Sequence, residues 1–600
     1  MKTPRTLNDL FFDAVDRFSS KRAAFQYKAG GTWHDVTHQE LLQRVRQTAL
    51  GLLELGVRPG DRVGILSVNR PEWAMADYAC LTARCVDVPV YPTLPARQAA
   101  YILRDSGAVA LFVADPAQYR KVEETRAEMP ALRHVILFEG SVQEPGVRTL
   151  QEVQALGAAA ESRHRDYQDE ALRARPEDLA TLIYTSGTTG DPKGVMLTHG
   201  NFVSNVLSAL QVLHIGPDDS ALSLLPLSHS FERMAGHYTM FHAGCTVAFA
   251  ESLETVAANM LEVRPTVMLA VPRLYEKIYA RVLENALSGS GLKRRIFFWA
   301  KRNAETWADL VLAGRPVPGG LAFKKRLADK LVFSKLRART GGRVRFFVSG
   351  GAPLSADIAK FFYAAGMPVL EGYGLSETSP VIAVNSYEAP RMGAVGKPIP
   401  GVEVRIAEDG EILCRGPNIM KGYFNKPEAT REAIDSQGWF HTGDIGVLDA
   451  DGYLRITDRK KDIIVTAGGK NIAPQPIENA VKTNKFVLNA VMIGDRRKFP
   501  LMLVVPNPDA LTAWARERGL PADDYGRLLA HPDAAAKVER EIMGNLRDLA
   551  SYETPKKFVL LQDDFTIENG ELTPTLKVKR RVVEQKYAKE IEAAYAGGPD

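Results

Sequence analysis

The feature that most restricts the fold is an apolar run that stops abruptly in a loop of glycines and hydroxyls. Residues 179–184 read as a buried strand, and Thr185-Ser186-Gly187-Thr188-Thr189-Gly190-Asp191-Pro192-Lys193-Gly194-Val195 follows directly. A strand of this kind needs a sheet, and the surrounding chain supplies one. Residues 40–55 carry a helical period, 62–66 read as a short buried strand, 69–81 as a helix and 86–91 as a strand. Alternation at this pace predicts α/β units around a largely parallel sheet. Residues 246–250, 267–271 and 344–348 add further buried strands. A long helical insertion, about 275–340, separates the last two and is broken at Gly289-Ser290-Gly291 and at Pro316-Val317-Pro318-Gly319-Gly320.

From about residue 392 the pattern changes to short strands with turns, at 402–406 and 411–415, which predicts a smaller β-rich subdomain. Asp458-Arg459-Lys460-Lys461-Asp462 is a run of five charges expected to sit in solvent. The remainder is mixed α+β in pattern. Six hundred residues exceed one ordinary core. The expected fold class is therefore α/β: a large N-terminal domain of α/β sheet subdomains plus a small β-rich subdomain over 1–458, a hinge over 459–462, and a small mobile α+β C-terminal domain over 463–600.

Bulk properties exclude several classes. Cys80, Cys85, Cys245 and Cys414 form no CxxC pair and have no histidines at zinc spacing, which argues against a metal centre or a disulfide framework. Asp9, Asp13 and Asp16 interrupt the apolar residues of the first segment, unlike a secretory signal. No run approaches the roughly 18 apolar residues of a membrane span. The expected location is the cytoplasm. The net charge of +5 is unevenly spread: residues 293–345 hold fifteen Lys or Arg against three acids, a local +12, leaving −7 elsewhere. Such a segment suits phosphates or an anionic membrane surface. No nucleic-acid reading module accompanies it, so nucleic acid is not an expected partner.

The Gly/Thr loop suits a polyphosphate. Thr185, Ser186, Thr188 and Thr189 cluster four hydroxyls, Gly187, Gly190 and Gly194 let backbone approach a ligand, and Lys193 adds a cation. It is not a Walker A motif, since no Gly-Lys-Ser/Thr step opens a helix. A plain surface loop seldom has this density directly after a buried strand. The string resembles the phosphate loop of the acyl-adenylate-forming (AMP-binding) enzymes, which include acyl-CoA synthetases, nonribosomal adenylation domains and firefly-type luciferases.

Further strings stand in the order of that family. Leu227-Ser228-His229-Ser230-Phe231-Glu232-Arg233 resembles the wall beside the substrate carboxylate, with His229 next to the substrate. In Ser349-Gly350-Gly351-Ala352-Pro353 the resemblance places Gly350, Gly351 and Ala352 against adenine. In Glu371-Gly372-Tyr373-Gly374-Leu375-Ser376-Glu377-Thr378 it places Gly372, Tyr373 and Gly374 at the base, Ser376 near the α-phosphate and Glu377, with Thr185, at Mg²⁺. The family usually has threonine where Ser376 stands. Gly438-Trp439-Phe440-His441-Thr442-Gly443-Asp444 ends in a carboxylate suited to the two ribose hydroxyls, and Arg459 would complete that grip. Lys461 occupies the family's pivot position. Gly468, Gly469 and Lys470 resemble the loop that lines the coenzyme A channel. Lys577 stands where the family has its catalytic lysine, although Leu576 replaces the usual glycine before it; Lys579 is the fallback, and Lys579, Arg580 and Arg581 otherwise read as a solvated basic patch.

The insertion, with the strings at 228–233 and 456–476, is most similar to long-chain fatty acyl-CoA synthetases. That resemblance implies ATP, Mg²⁺ and coenzyme A, and a fatty acid as substrate. The amphipathic, basic character of the insertion itself suits peripheral contact with an anionic membrane surface, and the oligomeric state stays open, a homodimer included. Besides another acyl- or aryl-CoA ligase, competing readings are a stand-alone fatty acyl-AMP ligase, a nonribosomal adenylation domain and a non-catalytic lipid- or nucleotide-binding relative. The first stops at the adenylate, the second would normally precede a carrier domain, and the third would be expected to have lost Lys193, Glu377, Asp444 or Lys577.

Overall fold

The computed structural model describes residues 3–185, 191–547, 549–566, 569–573 and 578–597. Among them, one sheet has eight strands, in the order Gly422–Tyr423, Lys193–Thr198, Leu179–Thr185, Val86–Val90, Arg62–Leu66, Ala110–Val113, His134–Leu137 and Val147–Thr149. Every pairing from Leu179–Thr185 outward to Val147–Thr149 is parallel. Antiparallel pairings close the other edge. Val86–Val90 is buried at all its residues, as a strand covered on both faces must be.

A second sheet of nine strands has a parallel centre running Val369–Gly374, Phe346–Ser349, Val267–Ala270, Ser220–Ser223, Thr246–Phe249 and Phe25–Ala29. One apolar core joins the two sheets through the helices Leu7–Arg17, His38–Glu54, Pro71–Thr82 and His199–Leu213. Local chemistry starts these helices. Thr37 accepts from Glu40 N while the Glu40 carboxylate accepts from Thr37 N, and Thr6/Asp9, Thr149/Glu152 and Thr198/Asn201 repeat the device. Each pair satisfies two backbone donors that the helix itself cannot.

The insertion is built from the helices Pro272–Leu287, Gly291–Leu312 and Gly319–Ala328, a π turn at Asp329–Phe333 and the short helix Ser334–Ala338. The β-rich part is a four-stranded antiparallel sheet, Glu403–Ile406, Glu411–Arg415, Phe440–Leu448 and Leu454–Arg459. The C-terminal part has its own three-stranded sheet, Val487–Ile493, Leu501–Pro506 and Lys557–Leu560, with a separate apolar core that includes Ile477, Val481, Met492, Val504 and Val538. The expected fold class is the observed one. No helix among the described residues is long and apolar enough to cross a membrane.

The charged run at the hinge differs from expectation at Asp458. The strand Leu454–Arg459 carries this residue inward, so that it is buried while Arg459, Lys460 and Lys461 are exposed. Its carboxylate accepts from Arg459 N at 2.6 Å and from Gln475 N, in the first turn of the helix Pro474–Lys482, at 3.3 Å. Burial pushes its pKa up to about 6. Strand alternation, not charge, decides which residue of such a run faces inward.

Candidate active site

A cavity of about 1430 Å³ opens where both large sheets, the β-rich sheet and the C-terminal part meet. At one end, Thr185 closes its strand directly opposite Lys193 on the antiparallel neighbour, so sheet register alone brings the two together. Ser186, Gly187, Thr188, Thr189 and Gly190 lie outside the described residues. Lys193 Nζ stands 4.9 Å from the ring centroid of Tyr423. The Tyr423 hydroxyl donates to Glu377 Oε1 at 2.9 Å. Burial, and then the Glu377 charge, push the Tyr423 pKa upward, which keeps it a donor. Thr185, Lys193, Glu377 and Tyr423 all line the cavity.

A second group lies along the same cavity. Asp444 and Arg459 face each other across an antiparallel pair, with Asp444 Oδ1 3.3 Å from Arg459 Nε. The other carboxylate oxygen accepts from the Tyr373 hydroxyl at 2.7 Å. Tyr373 is thus fixed at its polar tip while its body lines the cavity. Two glycines permit this geometry. A Cβ on Gly374 would meet Pro380 O at 1.7 Å, and one on Gly350 would press on the Phe231 ring at 3.0 Å. Gly350, Gly351, Gly372 and Ser376 also reach the cavity, whereas Ala352 is exposed beside it.

The third wall is apolar. Ala209 and Leu213 of one helix and Met234, Ala235 and Met240 of the segment after His229 line it, with Val384 of the second sheet. His229 lines the cavity, and its Nδ1 accepts from Phe231 N at 3.1 Å, which leaves Nε2 as the ring's donor. The Ser230 and Ser376 hydroxyls lie 3.2 Å apart and join this wall to the turn bearing Glu377. Residues Glu232–Thr239 form a π-helix, a form that is rare and concentrated at functional sites.

Beneath that π-helix lies a fully buried ionic cluster. Arg233 donates to Asp77, to both oxygens of Asp87, to Thr181 Oγ1 at 2.8 Å and to the Tyr238 hydroxyl at 2.9 Å. Burial pushes Asp87 upward; at Asp77 burial is outweighed by Arg233, which holds the carboxyl low. One guanidinium therefore ties a strand of the first sheet, its neighbour and the helix Pro71–Thr82 to the cavity wall.

The C-terminal part reaches the cavity through Gly570, Leu572, Thr573, Val578 and Lys579. Lys577, between them in sequence, lies outside the described residues. Gly468, Gly469 and Lys470 do not line the cavity; they are exposed, with Lys470 Nζ 5.7 Å from the Tyr552 ring centroid. Arg580 is not part of a solvated patch: it is largely buried, donating to Glu478 Oε1 at 2.6 Å and to Met492 O at 2.5 Å. The Glu478 charge holds it inside. Lys461 is exposed at the cavity margin, and its neighbour Lys460 is anchored to Asp409 at 2.6 Å and Glu411 at 2.9 Å. Across the boundary, Arg273 donates to Leu488 O at 2.6 Å.

Sequence reasoning missed Tyr423, Glu411 and the Arg233 cluster. Tyr423 and Glu411 sit in short strands without a distinctive string. Asp87 did carry a signal, because a carboxylate inside the apolar run Val86-Asp87-Val88-Pro89-Val90 requires a buried partner.

Comparison with known proteins agrees with this geometry. Residues 11–424 match the AMP-binding enzyme family, and residues 461–520 match the AMP-binding enzyme C-terminal domain. A long-chain-fatty-acid–CoA ligase, FadD15, of Mycobacterium bovis is 41% identical over 577 residues, covering 95% of this chain and 94% of the relative. The peroxisomal long chain acyl-CoA synthetase 7 of Arabidopsis thaliana is 34% identical, covering 98% and 86%. Among solved structures, the anthranilate CoA ligase AuaEII in complex with anthranoyl-AMP has the same fold, with a TM-score of 0.73 at 19% identity and 99% of each chain covered. The chain belongs to the AMP-binding enzyme family.

Proposed function

We propose that this protein activates a long-chain fatty acid with ATP to acyl-AMP, releasing pyrophosphate, and then passes the acyl group to coenzyme A, releasing AMP. One observation carries this reading. A single cavity joins a hydroxyl, a cation and a carboxylate (Thr185, Lys193, Glu377), a second carboxylate suited to a diol (Asp444), and an apolar lobe. The relatives named as fatty-acid ligases supply the substrate class.

The chemistry follows from charge. A carboxylate is a poor acyl donor because oxide is a poor leaving group, and adenylation replaces oxide with AMP. In the first step a carboxylate oxygen bonds to the α-phosphorus and the bond to pyrophosphate breaks. No general base is required, since the acid is already ionised at neutral pH. The obstacle is repulsion between two anions, which cations and aimed donors relieve. Lys193 serves the pyrophosphate, and Lys577 the developing charge at the α-phosphate. Glu377 and the Thr185 hydroxyl offer the hard oxygens that magnesium prefers. No group of three or more His, Cys, Asp or Glu able to hold a metal by itself occurs among the described residues, so phosphate oxygens would complete the set. When bound, the ion withdraws charge from those oxygens. Tyr423 orients the Glu377 carboxylate, and Asp444 accepts from the ribose hydroxyls.

In the second step the coenzyme A sulfur bonds to the acyl carbon and AMP leaves. This needs the small domain, residues 463–600, to turn about 459–462 so that Gly468, Gly469 and Lys470 replace the Lys577 segment, a lid motion with two roles. The reading places the protein in the cytoplasm, with the helical insertion touching an anionic membrane surface. The test is pyrophosphate release across fatty acids of increasing length, with acyl-CoA formation followed in parallel. Pyrophosphate release that increases with chain length and thioester that depends on coenzyme A are expected. Acyl-AMP that accumulates unchanged when coenzyme A is present would overturn the second half.

A further inference from the structure

The helical insertion carries an apolar surface that its own packing does not explain. Among the described residues, six of the seventeen large apolar side chains that stand exposed fall within residues 287–331, a small fraction of the chain. Three of them, Phe323, Leu327 and Leu331, recur every fourth residue along Gly319–Ala328 and the π turn behind it, and Phe323 is 68% exposed. That spacing lays one stripe along the outer face of the helix. The opposite face is the packed one: Lys325, Ala328 and Phe333 are buried, with Lys325 Nζ 5.0 Å from the Trp307 ring centroid and 2.6 Å from Asp329.

By the same helical geometry Arg326 and Lys330 flank the stripe on one side and Lys324 on the other, and all three are exposed. The neighbouring helix Gly291–Leu312 repeats the arrangement. Phe297, Ala300, Ala304 and Ala308 face inward, while Arg294, Arg295, Phe298 and Arg302 face out and, with Trp299, line a shallow cavity of about 270 Å³. The segment 293–345 has a local charge of +12 against −7 for the rest of the chain.

We propose that this face docks on an anionic lipid bilayer, with Gly319–Ala328 lying in the headgroup plane and the Arg294/Arg295/Arg302 depression seating a lipid phosphate. An apolar stripe bordered by long cations is the form that sinks to the acyl boundary while Lys and Arg stems reach back to phosphates. A protein partner fits less well, because lysine is depleted where proteins bury one another. A nucleic acid would meet the cations but give the Phe323/Leu327 stripe nothing to enter. The purpose of docking, collecting the acid where it partitions, rests on the fatty-acid reading above; the binding itself does not.

The test is co-sedimentation of the full chain with vesicles of phosphatidylcholine alone or mixed with phosphatidylglycerol, at low and high salt. Binding to the anionic vesicles only, weakened by salt, is expected. Phe323→Ser with Leu327→Ser, and separately Lys324→Glu with Arg326→Glu and Lys330→Glu, should each weaken it by about tenfold or more. Unchanged melting temperatures would show that both variants fold. No vesicle binding by the parent protein at low salt, or equal binding by the variants, overturns the proposal. So does duplex DNA that competes fully while the apolar variant binds like the parent, since that marks a general polyanion surface. Acyl-CoA formation from a medium-chain acid in solution, without vesicles, separates the two ideas: its absence removes the ligase reading, and its presence without vesicle binding removes the docking face alone.

Discussion

The two sides of the cavity are held in different ways. On the nucleotide side, residues meet because sheet register puts them opposite one another: Thr185 with Lys193, and Asp444 with Arg459. The buried Arg233 cluster then fastens that frame to the wall behind His229. On the C-terminal side, residues reach the cavity across a boundary held by a few ties, such as Arg273 to Leu488 O and Asp458 to Gln475 N. Binding geometry is built into the large part of the molecule, whereas Gly570, Leu572, Thr573, Val578 and Lys579 come to the cavity from the C-terminal part. A protein that must run two reactions in one cavity has reason to be rigid on one side and exchangeable on the other.

The comparison breaks most visibly if the frame proves dispensable. Arg233→Met leaves two buried carboxylates without their cation and should cost about 3–5 kcal/mol of stability, read as a lower denaturant midpoint. A loss below about 1 kcal/mol would mean that the cluster does not brace the wall. Next in size, Asp444→Asn keeps the shape but removes the charge that pairs with Arg459, and should raise the KM for ATP by about tenfold, which is about 1.4 kcal/mol. An unchanged KM would detach Asp444 from the ribose. Smaller again is Arg273→Ala, which removes a tie across the boundary while leaving the frame intact. It should alter the ratio of the two half-reaction rates by less than about tenfold and leave the KM for ATP unchanged.

A separate test is a pH dependence of the frame. Burial raises the Glu371 carboxyl from 4.5 to about 8, so the folded state binds its proton more tightly than the unfolded chain. The stability this contributes is full below about pH 4.5 and is lost as pH rises through about 8. Glu371→Gln should therefore gain melting temperature relative to the parent at high pH and not at low pH. A pH-independent difference would show that Glu371 titrates normally.

The same contrast governs what could be read from sequence. Strings that act as local units were legible: Thr185 and Lys193 at the two ends of the Gly/Thr string, the Gly-Tyr-Gly segment at 372–374 and the turn at Gly350-Gly351 all line the cavity. Partners assembled by topology were not. Tyr423 reaches Glu377 only because its short strand pairs with Lys193–Thr198, and Arg233 meets Asp87 across 146 residues. Asp458 and Arg580 were misjudged as solvated for a related reason. Runs of charge read as surface, but a strand turns alternate residues inward and a buried Glu478 can hold a guanidinium.

The most direct measurement follows the two half-reactions of Lys577→Ala separately: pyrophosphate release from ATP and fatty acid, and thioester formation from preformed acyl-AMP with coenzyme A. A side of the cavity that is exchanged between steps predicts that the first falls by about a hundredfold or more while the second stays within a few fold of the parent. Equal loss of both would contradict it, because Lys577 would then be needed throughout.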